Sequence, residues 1–152
     1  MPTDAGIGIR RAVATDAETL TTLTHASSAY AGAYRAILVG YAITPAQVER
    51  DELHVAVDGD GRVLGYYSLV TDADCAELDL LFVDDAAQGR GLGALLFAHM
   101  RQRAAALGIP RVRIVSHPPS EAFYLRMGAV RVGEQPPRGR VGWSRPVLDL
   151  VV

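Results

Sequence analysis

The sequence contains a single cysteine, Cys75, so no disulfide can form within the chain. A reducing compartment suits such a protein, and with no activating partner in view Cys75 reads as a packing residue. The formal net charge is only -2 at pH 7. That removes the strong basic bias expected of a binder of nucleic acid or anionic membrane. Residues 1–11 lack the apolar core of a secretory signal, and no apolar run approaches the length of a membrane span. Internal repeats, linkers and low-complexity stretches are also missing. These absences predict one domain over residues 1–152, cytoplasmic, with no nucleic acid, membrane or metal among its partners. At 152 residues and 49% apolar, the chain can bury a substantial core unaided.

What is present alternates between strand and helix signals. Residues 7–13 read as a first strand. Thr15 to Glu18 fit a capping box, with Thr15 as N-cap, and Leu20, Leu23 and Ala26 continue at helical spacing to about Ser28. Residues 29–44 carry Tyr30, Tyr34 and Tyr41 and read as helical or irregular. Pro45 can open another short helix. Two β-rich runs over 52–71 flank Asp58-Gly59-Asp60-Gly61, strong hairpin punctuation. Residues 75–83 read as the next strand. A helix over about 91–107 has Leu92, Leu96, Met100 and Ala104 in one stripe with Leu95 beside it, and Gly108 and Pro110 stop it. A strand (111–117), a short helix (120–128), a further strand and a C-terminal strand complete a mixed α/β sheet with helices on its faces.

Between strand 75–83 and its helix stand Gly89, Gly91 and Gly93. Glycine is a poor helix former, so three of them at a helix mouth need a reason. Gly89-x-Gly91-x-x-Ala94 fits the dinucleotide fingerprint. That fingerprint also wants an acid at the end of the next strand, which here ends in Ser116-His117. A nicotinamide-dependent reductase is therefore disfavoured. The second reading is Gln88-x-x-Gly91-x-Gly93, with bare backbone N–H groups and a helix N-terminus turned toward an anion.

That pattern resembles the acetyl-CoA-binding motif Q/R-x-x-G-x-G/A of the GNAT superfamily of N-acetyltransferases. Phe123 to Ala129 resemble the superfamily's F-Y-x-x-x-G-F/A segment, at the usual distance downstream. The resemblance covers roughly residues 7 to 150. It implies a twisted, mostly antiparallel sheet of six to seven strands, splayed in the middle and flanked by about four helices. It also implies acetyl-CoA as acyl donor and direct attack by an amine. Gln88, Gly89, Arg90, Gly91, Leu92, Gly93 and Ala94 would then meet the pyrophosphate, Gly91 and Gly93 letting the backbone approach. Leu81, Phe82 and Val83 would run along the pantetheine arm, with Phe123, Arg126 and His117 nearby. The superfamily's usual Asn contact is missing, its two common positions being His117 and Pro119 here.

By the same resemblance, Tyr124 is the expected general acid toward the departing thiolate, since a phenol of pKa about 10 holds its proton at neutral pH. Glu77 and Asp79, two apart on one strand, share a face and are both candidates for the general base. The acceptor side would draw on Tyr30, Tyr34 and Tyr41 and on Arg138, Arg140, Trp143 and Arg145, able to enclose an amine or hold a carboxylate or phosphate. The expected acceptor is a primary amine of a small molecule, or an exposed protein amine. A non-catalytic acyl-CoA sensor is the alternative, and a homodimer is compatible with either.

Overall fold

The computed structural model describes residues 6–72 and 75–152; residues 1–5 and 73–74 of the domain expected over 1–152 lie outside the described residues. Eleven regular elements follow in order: β1 (Gly8–Arg11), α1 (Ala17–Ala26), α2 (Pro45–Arg50), β2 (Glu52–Val57), β3 (Val63–Asp72), β4 (Cys75–Val83), α3 (Leu92–Ala106), β5 (Arg111–Val115), α4 (Glu121–Arg126), β6 (Val130–Gln135) and β7 (Arg145–Val151). The strands form one seven-stranded sheet in the order β1-β2-β3-β4-β5-β7-β6. Every pairing is antiparallel except that of β4 with β5. The expected splayed, mostly antiparallel sheet is what the chain forms.

Local chemistry explains the first half. Asp58 Oδ1 accepts the N–H groups of Asp60 and Arg62, both at 2.9 Å, and closes the β2–β3 turn. Pro45 begins α2 behind Thr44, whose hydroxyl accepts the Gln47 N–H at 3.1 Å. The start of α1 differs from the expected capping box. A 3-10 turn over Ala14–Asp16 precedes the helix, and Asp16, not Glu18, reaches back to accept the Val13 N–H at 2.8 Å. Asp16 is buried and held by two hydrogen bonds from Arg10, at 2.8 and 2.9 Å. An acid so paired is a better-fixed acceptor than an exposed glutamate. Residues 28–38 form two 3-10 stretches, Ser28–Tyr30 and Gly32–Leu38, rather than an α-helix.

Apolar side chains fill both faces of the sheet. One face packs Leu96, Met100, Ile114, Leu148 and Leu150 beneath α3 and α4. The other packs Leu20, Val48, Leu53 and Tyr66 beneath α1 and α2. The predicted α3 stripe is buried at Leu92, Leu96, Met100 and Ala104, while Leu95 faces outward and Phe97 takes its place inside.

The β3–β4 ladder contains the irregularity that shapes the site. Ser68 pairs with Leu80 and Leu69 with Leu78, so Asp79 opposes no residue. This is a β-bulge, one extra residue that bends its strand. Before it, Ala76 and Leu78 pack with the α3 face; after it, Leu81 and Val83 do so, and Leu80 and Phe82 turn to the α1 face.

Candidate active site

β4 and β5 are neighbours for only two residue pairs, Ala76 with Val112 and Glu77 with Arg113. Past Glu77 the strands part, at the bulge, and the β5-facing edge of β4 from Leu78 onward has no strand partner among the described residues. Two adjoining cavities occupy the gap. Tyr30, Asp79, Leu80, Phe82, Val115 and His117 line both. The smaller, about 50 Å³, reaches Leu81, Ser120 and Tyr124. The larger, about 180 Å³, reaches Tyr41, Trp143 and Arg145. Wider grooves of about 640 and 710 Å³ run beside α1 and are lined by neither Asp79 nor Tyr124.

Asp79 belongs to both cavities and Glu77 to neither. Asp79 lies at the open side of the cleft, and desolvation by the protein packed around it raises its carboxyl above the ordinary aspartate value, helped by the charges of Glu77 and Asp51 and opposed by Arg50. Tyr124, on α4, is buried, and burial pushes its phenol well above its usual pKa. Its ring lies against Phe123, at a centroid distance of 5.3 Å, and Phe97, at 6.1 Å. A carboxyl raised toward proton acceptance and a phenol that keeps its proton thus face one space.

Aromatic contacts build the remaining wall. Tyr30 stacks on His117 at 4.0 Å and on Phe82 at 5.5 Å. Tyr34 meets the edges of His117 and Trp143, at 4.5 and 4.8 Å. Desolvation, with Asp79 adding to it and Arg145 opposing it, lifts the Tyr30 hydroxyl to about 12. His117 is buried, and its Nε2 lies 2.5 Å from the Ala29 carbonyl. Burial lowers its pKa, so the neutral ring donates Nε2–H to Ala29. His117 thereby ties the end of β5 to the 28–38 segment.

The glycine loop divides its labour. Gly89 and Gly91 have φ of +80° and +75°, and a Cβ on either would meet nothing within 4 Å. Gly91 is the N-cap of α3, and no side chain caps the first-turn N–H groups. Gly93 differs from the expectation that its bareness clears room for a ligand: a Cβ there would stand 3.3 Å from the Phe123 ring. Its smallness serves the packing of α4 on α3. Leu92 is a core side chain, leaving only its backbone for a ligand. Gln88 donates to the Val83 carbonyl and to Asp85, at 3.4 and 3.3 Å, and so secures the loop. Arg90, Ala94 and Arg126 are exposed around this loop and on α4. Arg138 forms a small bridge with Val141, and Arg140 donates to the Val39 carbonyl, so the C-terminal loop clasps the segment after residue 38. Phe82, expected along the pantetheine arm, stands as a wall of both cavities, and Asp79, expected in regular alternation, is a bulge. The adjacent pair Leu80-Leu81, which breaks the alternation set by Ala76 and Leu78, is the signal that marks the bulge.

Sequence and fold comparisons agree. The family profile described as the acetyltransferase (GNAT) family matches residues 20–129. No curated protein matches the sequence significantly. Among solved structures, the chain is similar to the PaiA N-acetyltransferase of Thermoplasma acidophilum in complex with coenzyme A. That pair has a TM-score of 0.75 and 19% identity over 96% of this chain and 99% of that one. It is also similar to a GCN5-related N-acetyltransferase of Rhodopseudomonas palustris, with a TM-score of 0.79 and 17% identity over 95% of each chain. A third, a GNAT family acetyltransferase of Elizabethkingia anophelis with acetyl-CoA bound, gives a TM-score of 0.68 and 17% identity over 97% of this chain and 99% of that one.

Proposed function

The chain belongs to the GNAT acetyltransferase family, and from that premise we propose that it acetylates a primary amine of a small molecule held in the Asp79 cavity, with Asp79 as base and Tyr124 as acid. The observation that carries this reading is the shared cavity: Asp79 and Tyr124 line one space at the splay of β4 and β5. Acetyl-CoA is the acyl donor of the family, and the residues present fit it. The open loop at Gly89 and Gly91 and the uncapped N-terminus of α3 suit a pyrophosphate. The partnerless edge of β4 suits an extended amide-bearing arm, as an added strand would lie.

Bound acetyl-CoA supplies the thioester that the amine attacks and leaves as the free thiol. The chain's own residues manage the protons. An arriving ammonium gives one proton to the Asp79 carboxylate and becomes nucleophilic. The Tyr124 hydroxyl donates a proton to the departing sulfur and regains one from the nitrogen, which sheds its second proton as the amide forms. One proton per turnover then leaves Asp79 for solvent. Glu77 raises the Asp79 pKa through its charge and acts as a positioning residue. A cavity of about 180 Å³ lies below the roughly 300 Å³ at which pockets begin to take drug-sized ligands, which favours a small acceptor over a peptide.

The test is steady-state thiol release alongside calorimetric binding of acetyl-CoA. Asp79→Asn is expected to lower kcat by about 10²–10⁴-fold with donor binding unchanged. Tyr124→Phe is expected to lower it by about 10²-fold, again with donor affinity intact. Full activity in both variants would refute the assignment.

A further inference from the structure

We propose that the acceptor is a zwitterion, an α-amino acid with an apolar side chain, its ammonium on Asp79 and its carboxylate on Arg145 and the Trp143 indole. This inference rests on the reading of the Asp79 cavity as the acceptor site and specifies what that site takes.

Three buried side-chain polar atoms have no hydrogen-bond partner among the described residues: Ser68 Oγ, Trp143 Nε1 and Arg145 Nε. Two of the three belong to residues that line the same cavity. Both are obligate donors, since neither an indole N–H nor a guanidinium can accept. A buried donor left unsatisfied is costly, and two on residues lining one cavity ask for an oxygen-rich acceptor. The planar guanidinium fork matches a carboxylate.

The same cavity supplies the complement. Asp79 makes no ion pair among the described residues and lines the same cavity. Arg145 is likewise without an ion pair. The two charges form no ion pair with each other among the described residues, and both act on Tyr30, in opposite senses. A free anion and a free cation lining one small cavity are matched by a ligand carrying both charges. A simple alkylamine would satisfy Asp79 and leave Arg145 and Trp143 unpaired. Ile37, Leu38 and Phe82 make the rest of the lining apolar, which suits a hydrocarbon side chain. Arg145 is the first residue of β7, so the cationic end of the site is anchored to the sheet rather than to the loop before it.

Trp143 is the sole tryptophan of the chain, so its fluorescence reports this cavity alone. The experiment titrates the intact protein with L-phenylalanine, 2-phenylethylamine and 3-phenylpropionate, which carry both charges, the amine alone and the carboxylate alone. Saturable binding of phenylalanine is expected, at least tenfold tighter than either single-charge analogue. Arg145→Met should weaken phenylalanine at least tenfold and leave 2-phenylethylamine unmoved. Asp79→Asn should weaken the two amines and leave 3-phenylpropionate unmoved. Equal affinity for phenylalanine and 2-phenylethylamine in the wild-type protein overturns the proposal, as does no response to any of the three. The wild-type comparison needs no variant to fold. Thiol release from acetyl-CoA separates the two levels of inference. Phenylalanine bound in an Arg145-dependent way but never acetylated would refute acetyl transfer and uphold the ligand class. Faster acetylation of 2-phenylethylamine than of phenylalanine would uphold transfer and refute the ligand class.

Discussion

A methyl group on Gly65 would stand 2.7 Å from the Phe82 carbonyl oxygen and 3.1 Å from Leu96. The first neighbour is backbone and cannot swing aside. Gly65→Ala therefore has to displace the β4 chain where Phe82 lines both cavities. Overpacking of this kind costs about 1–3 kcal/mol, and the expected outcome is a lower midpoint in urea together with a weakened response of Trp143 to acceptor. Gly91→Ala meets open space instead, and its cost is conformational. A residue with a Cβ at φ of +75° loses about 1–2 kcal/mol. Its expected signature is weaker acetyl-CoA binding in calorimetry, because the first turn of α3 is re-aimed. Single residues were unevenly legible. Tyr124, Gly91, Tyr30 and Trp143 could be singled out because motif or aromatic character marks them in the linear chain. The separate duties of Glu77 and Asp79 could not, because strand alternation gives both the same face and only the parting of β4 from β5 distinguishes them. Gly65 carries no local mark at all; its constraint comes from a strand that joins it eighteen residues later in the ladder, at Val83.

At the scale of elements, α3 is docked on β2 and β3 by a half-buried polar cluster. His99 Nδ1 and the Tyr67 hydroxyl are 2.9 Å apart. Glu52 accepts from Arg103 at 3.1 Å, from Arg11 at 3.1 Å, and meets His54 Nε2 at 3.1 Å. The rings of His54 and His99 are 4.8 Å apart. Burial lowers the pKa of both histidines; Arg103 lowers His99 further, and His99 and Arg11 lower His54 more weakly, while Glu52 pulls both the other way. His117 is lowered as well, by burial. A histidine with a depressed folded-state pKa leaves the unfolded chain holding more protons below about pH 6.5. Stability is therefore full above that value and falls as pH drops through and below it. Each 1 kcal/mol lost in this way lowers Tm by roughly 2–4 °C for a domain of this size. The expected result is a Tm that declines between pH 7 and pH 5, with a shallower decline in His99→Gln, measured by circular dichroism. Activity should also fall toward acid pH, for another reason. In the proposed reaction Asp79 acts deprotonated, and its raised pKa moves the acid limb of the rate profile upward from where an ordinary aspartate would put it; Glu77→Gln should move that limb to lower pH. Elements with a strong period or a cap were readable from the chain, as β4 and α3 are to within a residue at each end. The 28–38 segment was not, since its 3-10 turns are held by distant groups: Ala29 by His117, and Ser28 by Asp85 at 3.1 Å.

Across the whole molecule, every one of the fifteen basic residues is an arginine. An acetyltransferase without lysine offers no side-chain amine of its own to the donor. Incubation with acetyl-CoA should leave no side-chain nitrogen acetylated in a peptide mass map, the exposed thiol of Cys75 being the side chain open to thioester exchange. The succession of strands and helices along the chain was legible because it follows from hydrophobic period and turn chemistry. The splay was legible only through resemblance, for no residue type announces that two parallel strands will pair for two positions and stop.

The bulge at Asp79 has a consequence for how such a site can be gained or lost. Remove that one residue and Leu78 adjoins Leu80, so the pairs Leu69 with Leu78 and Ser68 with Leu80 become consecutive rungs. Ala76, Leu78, Leu81 and Val83 then fall on one face in unbroken alternation, with Glu77, Leu80 and Phe82 on the other. The acid is surplus length in an otherwise ordinary strand, not a substitution within it. A variant lacking Asp79 should fold with a Tm at or above that of the parent, yet lose turnover and the Trp143 response together. Chemistry here would then be separable from the fold by a single codon.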